Sequence, residues 1–167
     1  RDGYKPTYTA AALIDAEFPD PVWAVPTLIP VGLTFLAGRP KAGKSWLGAD
    51  IAIAVGSGGR VLDIQCERQP VLYLALEDSP RRMKERSKLL SMSRDTLVTW
   101  QFEWAPLADG GLAALVGAIA EGYKVVIVDT LSRALGRSDQ NDGGEMNVVL
   151  GNLQQAALQN DCAFILI

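Results

Sequence analysis

The chain has 167 residues, 49% of them apolar and 21% charged, with a net charge of −3. That is about one domain with a sizeable buried core, and its balance excludes a disordered chain or a broad basic face for nucleic acid. The absence of histidine removes Ser-His-Asp and Cys-His catalysis and His-containing zinc sites, and Cys66 and Cys162 are too far apart for a CxxC metal knuckle.

In chain order, residues 9–18 ("TAAALIDAEF") predict a short helix with Thr9 as N-cap, stopped by Pro19 and Pro21. "VWAVPTLIPVG" is a Pro-punctuated connector with one short edge strand. "LTFLA" (33–37) is a continuous apolar run of the kind buried on both faces of a parallel sheet. "KSWLGADIAIAV" follows as a helix halted by "GSGG". "VLDIQC" and "VLYLALE" read as two further strands. "SPRRMKERSKLLSM" is a helix with Ser79 at its N-cap and Pro80 at N1, where a missing N–H costs nothing. Then come the strand "LVTWQFEW", the helix "GGLAALVGAIAEG", the strand "KVVIVD", the polar loop "RALGRSDQNDGGE", the helix "MNVVLGNLQQAALQN" and the strand "CAFILI". Strands alternating with helices of this length predict an α/β, three-layer fold, a mainly parallel sheet with helices on both faces.

No segment reaches the roughly 18 consecutive apolar residues of a membrane helix, and the N-terminus lacks a signal-peptide core. Two reduced, buried thiols fit a cytoplasmic protein. A chain that starts without Met and stops at "CAFILI" reads as a fragment, truncated on its C-terminal side.

"GRPKAGKS" (38–45) leaves a predicted strand and opens a predicted helix, the context a phosphate-binding loop requires. Its glycines let consecutive N–H groups point at one anion, and the helix N-terminus adds partial positive charge. The nucleotide-binding residues expected are Gly38, Arg39, Pro40, Lys41, Ala42, Gly43, Lys44, Ser45 and the adjoining Trp46. Lys44 is expected at the β- and γ-phosphates and the Ser45 hydroxyl on Mg²⁺. For Trp46, core packing and an adenine platform are both open. Asp129 ends the apolar strand "KVVIVD" at the sheet's carboxyl edge and is the expected second metal-organising group. Thr130 follows it, so the base that activates water is sought elsewhere. Glu77, at the end of "VLYLALE", is preferred over Asp78, whose "DSP" setting suits a helix cap.

The guanine-reading Asn/Thr-Lys-x-Asp pattern is absent, the residue three after Asp129 is Ser132 and not Gly, and no Leu-Ser-Gly-Gly-Gln run occurs. ATP is therefore the expected nucleotide. "LTFLAGRPKAGKSWLGADIA", "VLYLALEDSPRRM", "VVIVDTLSRALG", "NDGGEM" and "CAFILI", in that order, resemble the RepA-like branch of the RecA-type P-loop ATPases, hexameric replicative helicases of plasmids, phages and mobile elements. The resemblance spans residues 23–167. It implies an N-terminal helix and connector over 1–32 and an incomplete RecA-like ATPase core over 33–167, with "CAFILI" inserted between the loop strand and the metal-acid strand. It implies that Lys44, Ser45 and Asp129 hold Mg-ATP, with Lys44 and Glu77 catalytic and Glu77 the general base. The function it implies is that of a ring helicase, a homo-oligomer of six acting on single-stranded DNA in replication. The polar sensor and arginine finger are expected beyond Ile167. A regulatory RecA-type ATPase that does not translocate is the alternative, ahead of a small-molecule kinase.

Arg81, Arg82, Lys84, Arg86 and Lys88 against Glu85 predict a solvated basic helix face. Arg133 and Arg137 flank a loop where such motors contact nucleic acid, but Asp139, Asp142 and Glu145 share it. Trp23, Trp100 and Trp104 are read as core or strand-edge packing.

Overall fold

The computed structural model describes residues 7–136 and 143–167. The first helix, α1 (Ala10–Ile14), is capped as expected by Thr9, whose Oγ1 accepts from the Ala12 N–H at 3.3 Å. It is shorter than the predicted span and ends at Asp15, because none of its residues is buried to hold a further turn. The connector forms an antiparallel hairpin of β1 (Trp23–Val25) and β2 (Ile29–Pro30), where one edge strand was expected. Its Val25 and Ile29 are buried in the core.

From β3 (Gly32–Phe35) the chain passes through the loop into α2 (Lys44–Ser57). "VLDIQC" is not one strand but a small hairpin, β4 (Arg60–Val61) and β5 (Ile64–Gln65). Leu62 and Asp63 make the turn at φ 48° and 62°, left-handed backbone that Asp tolerates but that a Leu gives no signal for. There follow β6 (Val71–Ala75), α3 (Pro80–Leu89), β7 (Val98–Gln101), α4 (Gly111–Ala120) and β8 (Val125–Asp129). The segment after β8, expected to be loop from residue 133, starts with a helical turn, α5 (Leu131–Leu135), capped by Thr130. Chain order ends with α6 (Gly143–Gln159) and β9 (Ala163–Leu166).

Five strands form one parallel sheet in the order β3-β9-β8-β6-β7. The last strand lies between the first and β8, as expected of "CAFILI". Side-chain alternation divides the core in two. Val71, Tyr73, Ala75, Val125, Ile127 and Ile165 face α2, α3 and the β1–β2 hairpin. Leu72, Leu74, Val126, Val128, Phe164 and Leu166 face α4, α5 and α6. Every residue of β6 and β8 is buried. Burying each Val, Leu or Ile contributes roughly 1.5–3 kcal/mol, against about 1 kcal/mol for a helix cap, so the central strands dominate the stability.

This topology places the site. Register pairs Ala75 with Asp129, so β6 and β8 end level with one another. The loop leaving β3 lies one strand away, across β9. All three chain segments converge on the sheet's carboxyl edge, where open α/β sheets bind ligands.

Candidate nucleotide-binding site

The loop between β3 and α2 is exposed from Gly38 to Gly43. Gly43 sits at φ 88°, left-handed backbone that glycine adopts without strain, and is the N-cap of α2 with no side chain bonded to the first turn. A helix start without a capping side chain offers its N–H groups to an anion. The Lys44 ammonium folds back over the loop and donates to the carbonyls of Gly38 (3.0 Å) and Arg39 (3.2 Å).

On the next residue, the Ser45 hydroxyl donates to Asp129 Oδ1 at 3.1 Å. Asp129 is only 4% exposed, and its other oxygen, Oδ2, accepts the Tyr73 hydroxyl at 2.7 Å. Burial, reinforced by the neighbouring Asp129 charge, pushes the Tyr73 phenol far above its ordinary range, so the hydroxyl remains a donor. The peptide joining Asp129 to Thr130 is cis. Ser45 and Asp129 present two hard oxygen atoms side by side beside the phosphate loop. That donor set fits Mg²⁺, which takes one or two protein oxygens and completes its shell with phosphates and water. Among the described residues no cluster of three or more His, Cys, Asp or Glu offers a metal site made by protein alone.

The two acids after β6 are in different environments. Glu77 is about half exposed; its Oε1 accepts the Thr130 hydroxyl at 3.1 Å and lies 3.5 Å from Arg133 Nε. Asp78 is turned inward, with its side chain 7% exposed, and takes Arg82 Nε at 2.8 Å and Arg86 Nη2 at 2.9 Å. It also accepts the Ser79 N–H at 3.0 Å. Asp78 is saturated by cations, whereas Glu77 remains accessible beside the residue that follows Asp129.

Trp46 is not core: it is 44% exposed, and the Arg86 guanidinium lies 5.0 Å from its ring centroid. That stacking explains why Arg86 departs from the solvated face expected of α3. Arg81, Arg82, Lys84 and Lys88 are exposed, while Arg86 folds inward between Trp46 and Asp78. Trp100 packs against Tyr73 at the sheet edge in a tilted arrangement (4.8 Å between centroids), and Trp104 Nε1 donates to the Gly111 carbonyl. Arg137, Asp139 and Asp142 lie outside the described residues, as does the side chain of Glu145.

Sequence reasoning misses Tyr73, Thr130 and Arg86 as members of this network. Tyr73 is hidden in an apolar run, and only the strand register shows that it shares a sheet face with Asp129.

A family model described as the AAA domain matches residues 3–167. The chain belongs to the AAA domain family. Among solved structures, the crystal structure of the RadB recombinase is similar, with a TM-score of 0.55 and 20% identity over 83% of this chain. At that identity the likeness is one of fold, and it is RecA-like. The chain spans 61% of the RadB chain's length. No curated protein matches it. The chain is thus an AAA domain of RecA-like fold. No described helix is long and apolar enough to cross a membrane.

Proposed function

We propose that this AAA domain binds and hydrolyses Mg-ATP as the core of a ring-forming, RepA-like helicase that acts on single-stranded DNA in replication. The observation that carries the ATPase part is the 3.1 Å contact between Ser45 Oγ and Asp129 Oδ1, with Glu77 accessible at the adjacent strand end. The helicase part rests on the resemblance carried by "LALED" and "DTLSR" around those same residues.

In this reading the loop N–H groups and the α2 N-terminus hold the phosphates. Lys44 exchanges its contacts with the Gly38 and Arg39 carbonyls for the β- and γ-phosphate oxygens, where its charge offsets the charge that builds up during transfer. Ser45 and Asp129 would hold Mg²⁺, which would supply charge neutralisation when bound. Glu77 takes the proton of the attacking water, with Thr130 and Arg133 orienting its carboxylate. Trp46, exposed one residue beyond Ser45, borders the nucleotide.

RecA-type motors complete each active site across a subunit boundary, so the protein forms a ring, six-membered by resemblance, with DNA in its hole. A net charge of −3 is compatible with this, because a ring needs few basic contacts per subunit. The test is ATPase rate with and without single-stranded DNA, together with mass in solution with ATP. Stimulation by DNA and a mass of several subunits are expected, with binding that weakens steeply as salt rises. A monomer indifferent to nucleic acid would overturn the motor and favour a regulatory ATPase.

A further inference from the structure

We propose that Trp46 is the platform on which the base of a bound nucleotide stacks, that Arg86 is the positioning residue behind it, and that the pair favours purine over pyrimidine nucleotides. The inference rests on the reading that residues 38–45 hold the phosphates of a nucleotide.

Trp46 is the third residue of α2 and follows Ser45 directly, so its ring leaves the helix in the turn that faces the loop. Tryptophan is highly buried on average. Trp46 is instead 44% exposed and belongs to neither half of the core, although Leu47 beside it packs against one. What holds the ring is Arg86, whose guanidinium lies 5.0 Å from its centroid.

Arg86 is placed there at a cost. Its side chain is 12% exposed, and Asp78 engages only Nη2. Nε and Nη1 are buried without a hydrogen-bond partner among the described residues, a desolvation that hydrogen bonds do not offset. The flat face of the guanidinium is satisfied by the indole instead. A surface tryptophan at the loop is thus pinned from behind by a cation that is itself fixed to the start of α3.

A rigid, exposed indole in that position suits a base. Phosphates cradled at the α2 N-terminus leave the attached sugar and base to extend over the neighbouring surface. The guanidinium takes one face of the ring and the base takes the other. Stacking grows with the overlap of flat faces, so a two-ring purine gains more than a one-ring pyrimidine. Every base has a π-face, so the platform discriminates by ring size and not by the groups on the ring.

The experiment is calorimetric titration of ADP, CDP and pyrophosphate, all in Mg²⁺. The proteins are the wild type, Trp46→Ala, Trp46→Phe, Arg86→Lys and the Trp46→Ala/Arg86→Lys double variant, with melting curves as a check of folding. The wild type should bind ADP more tightly than CDP. Trp46→Ala should weaken ADP roughly 10-fold, a usual effect of removing an aromatic ring from under a base, and shrink the ADP-to-CDP ratio. Its pyrophosphate affinity should change less than about 2-fold, because no base is involved. Trp46→Phe keeps a flat ring and should retain most of the ADP affinity. Arg86→Lys keeps a charge for Asp78 but loses the flat face, and should weaken ADP about 3-fold, with no further loss once Trp46 is Ala. Unchanged ADP affinity in Trp46→Ala, or an equal loss for pyrophosphate, would overturn the platform while leaving the nucleotide site standing. A loss in Arg86→Lys that persists on the Trp46→Ala background would overturn the positioning role. A wild type that binds neither ADP nor pyrophosphate would overturn the site reading as well.

Discussion

Asp78 and Arg86 form a largely buried ion pair, Oδ2 to Nη2 at 2.9 Å, with the two side chains 7% and 12% exposed. Arg82 occupies the other Asp78 oxygen. The pair ties the start of α3 to its middle and, through the Arg86–Trp46 stack, to the first turn of α2. An acid held by two guanidinium groups and turned inward is poorly placed to activate water, whereas its neighbour Glu77 is half exposed.

The two substitutions should therefore separate cleanly. Glu77→Gln keeps the fold and Mg-ATP affinity but lowers turnover about 10²–10⁴-fold, the usual worth of a positioned base. Asp78→Asn leaves Arg86 buried without its counter-charge and should cost about 2–4 kcal/mol of stability, with a much smaller effect on turnover. Single-turnover hydrolysis beside thermal melting checks both. Loss of turnover in Asp78→Asn with a normal rate in Glu77→Gln would reverse the roles.

Gly48 has no room for a side chain against Ile167 and the Tyr73 hydroxyl. Gly48→Val should lower stability by about 1–3 kcal/mol through overpacking. A variant that melts like the wild type would mean that α2 can lift away freely.

Burial pushes the Cys162 thiol up to about 12, against an ordinary value of 9.0, and Lys124 offsets this only in part. Burial raises Cys66 too. Both thiols should resist maleimide at neutral pH in the folded protein and react at once in denaturant. The raised folded value also sets a sign: the contribution is complete below pH ~9 and is lost as pH rises toward ~12, so stability falls across that window. Denaturant midpoints from pH 7 to 10.5 should begin to fall at the top of that range for the wild type, and less so for Cys162→Ala.

The central strands were legible because "VLYLALE", "KVVIVD" and "CAFILI" are apolar on both faces, and the helix starts at Thr9 and Ser79 because their hydroxyls cap locally. "LTFLA" was expected to be buried on both faces too, but β3 lies at the edge of the described sheet and Phe35 is exposed. Features decided by spatial pairing were not. The turn at Leu62–Asp63 carries no glycine or asparagine signal. The short α5 sits at the head of a polar run that masks its Thr130 cap. Arg86 is one of five basic residues on α3, and only the approach of Trp46 and Asp78 sets it apart. Of the site, the contact between Ser45 and Asp129 follows from motif spacing, whereas the hold of Tyr73 on Asp129 depends on the register between β6 and β8.

If residues 38–45 and Asp129 bind Mg-ATP, calorimetry will separate the wild type from Lys44→Ala. Lys44 is the loop residue whose ammonium now rests on the Gly38 and Arg39 carbonyls, ready to exchange them for phosphate oxygens. The wild type should bind one ATP per chain, more tightly with Mg²⁺ than in EDTA. Lys44→Ala, folded as judged by melting, should lose at least about 10-fold in affinity, since a charge-assisted bond to phosphate is worth about 1.5–3 kcal/mol. Equal affinity in the two proteins, or no binding by the wild type, would rule out a nucleotide site at this loop.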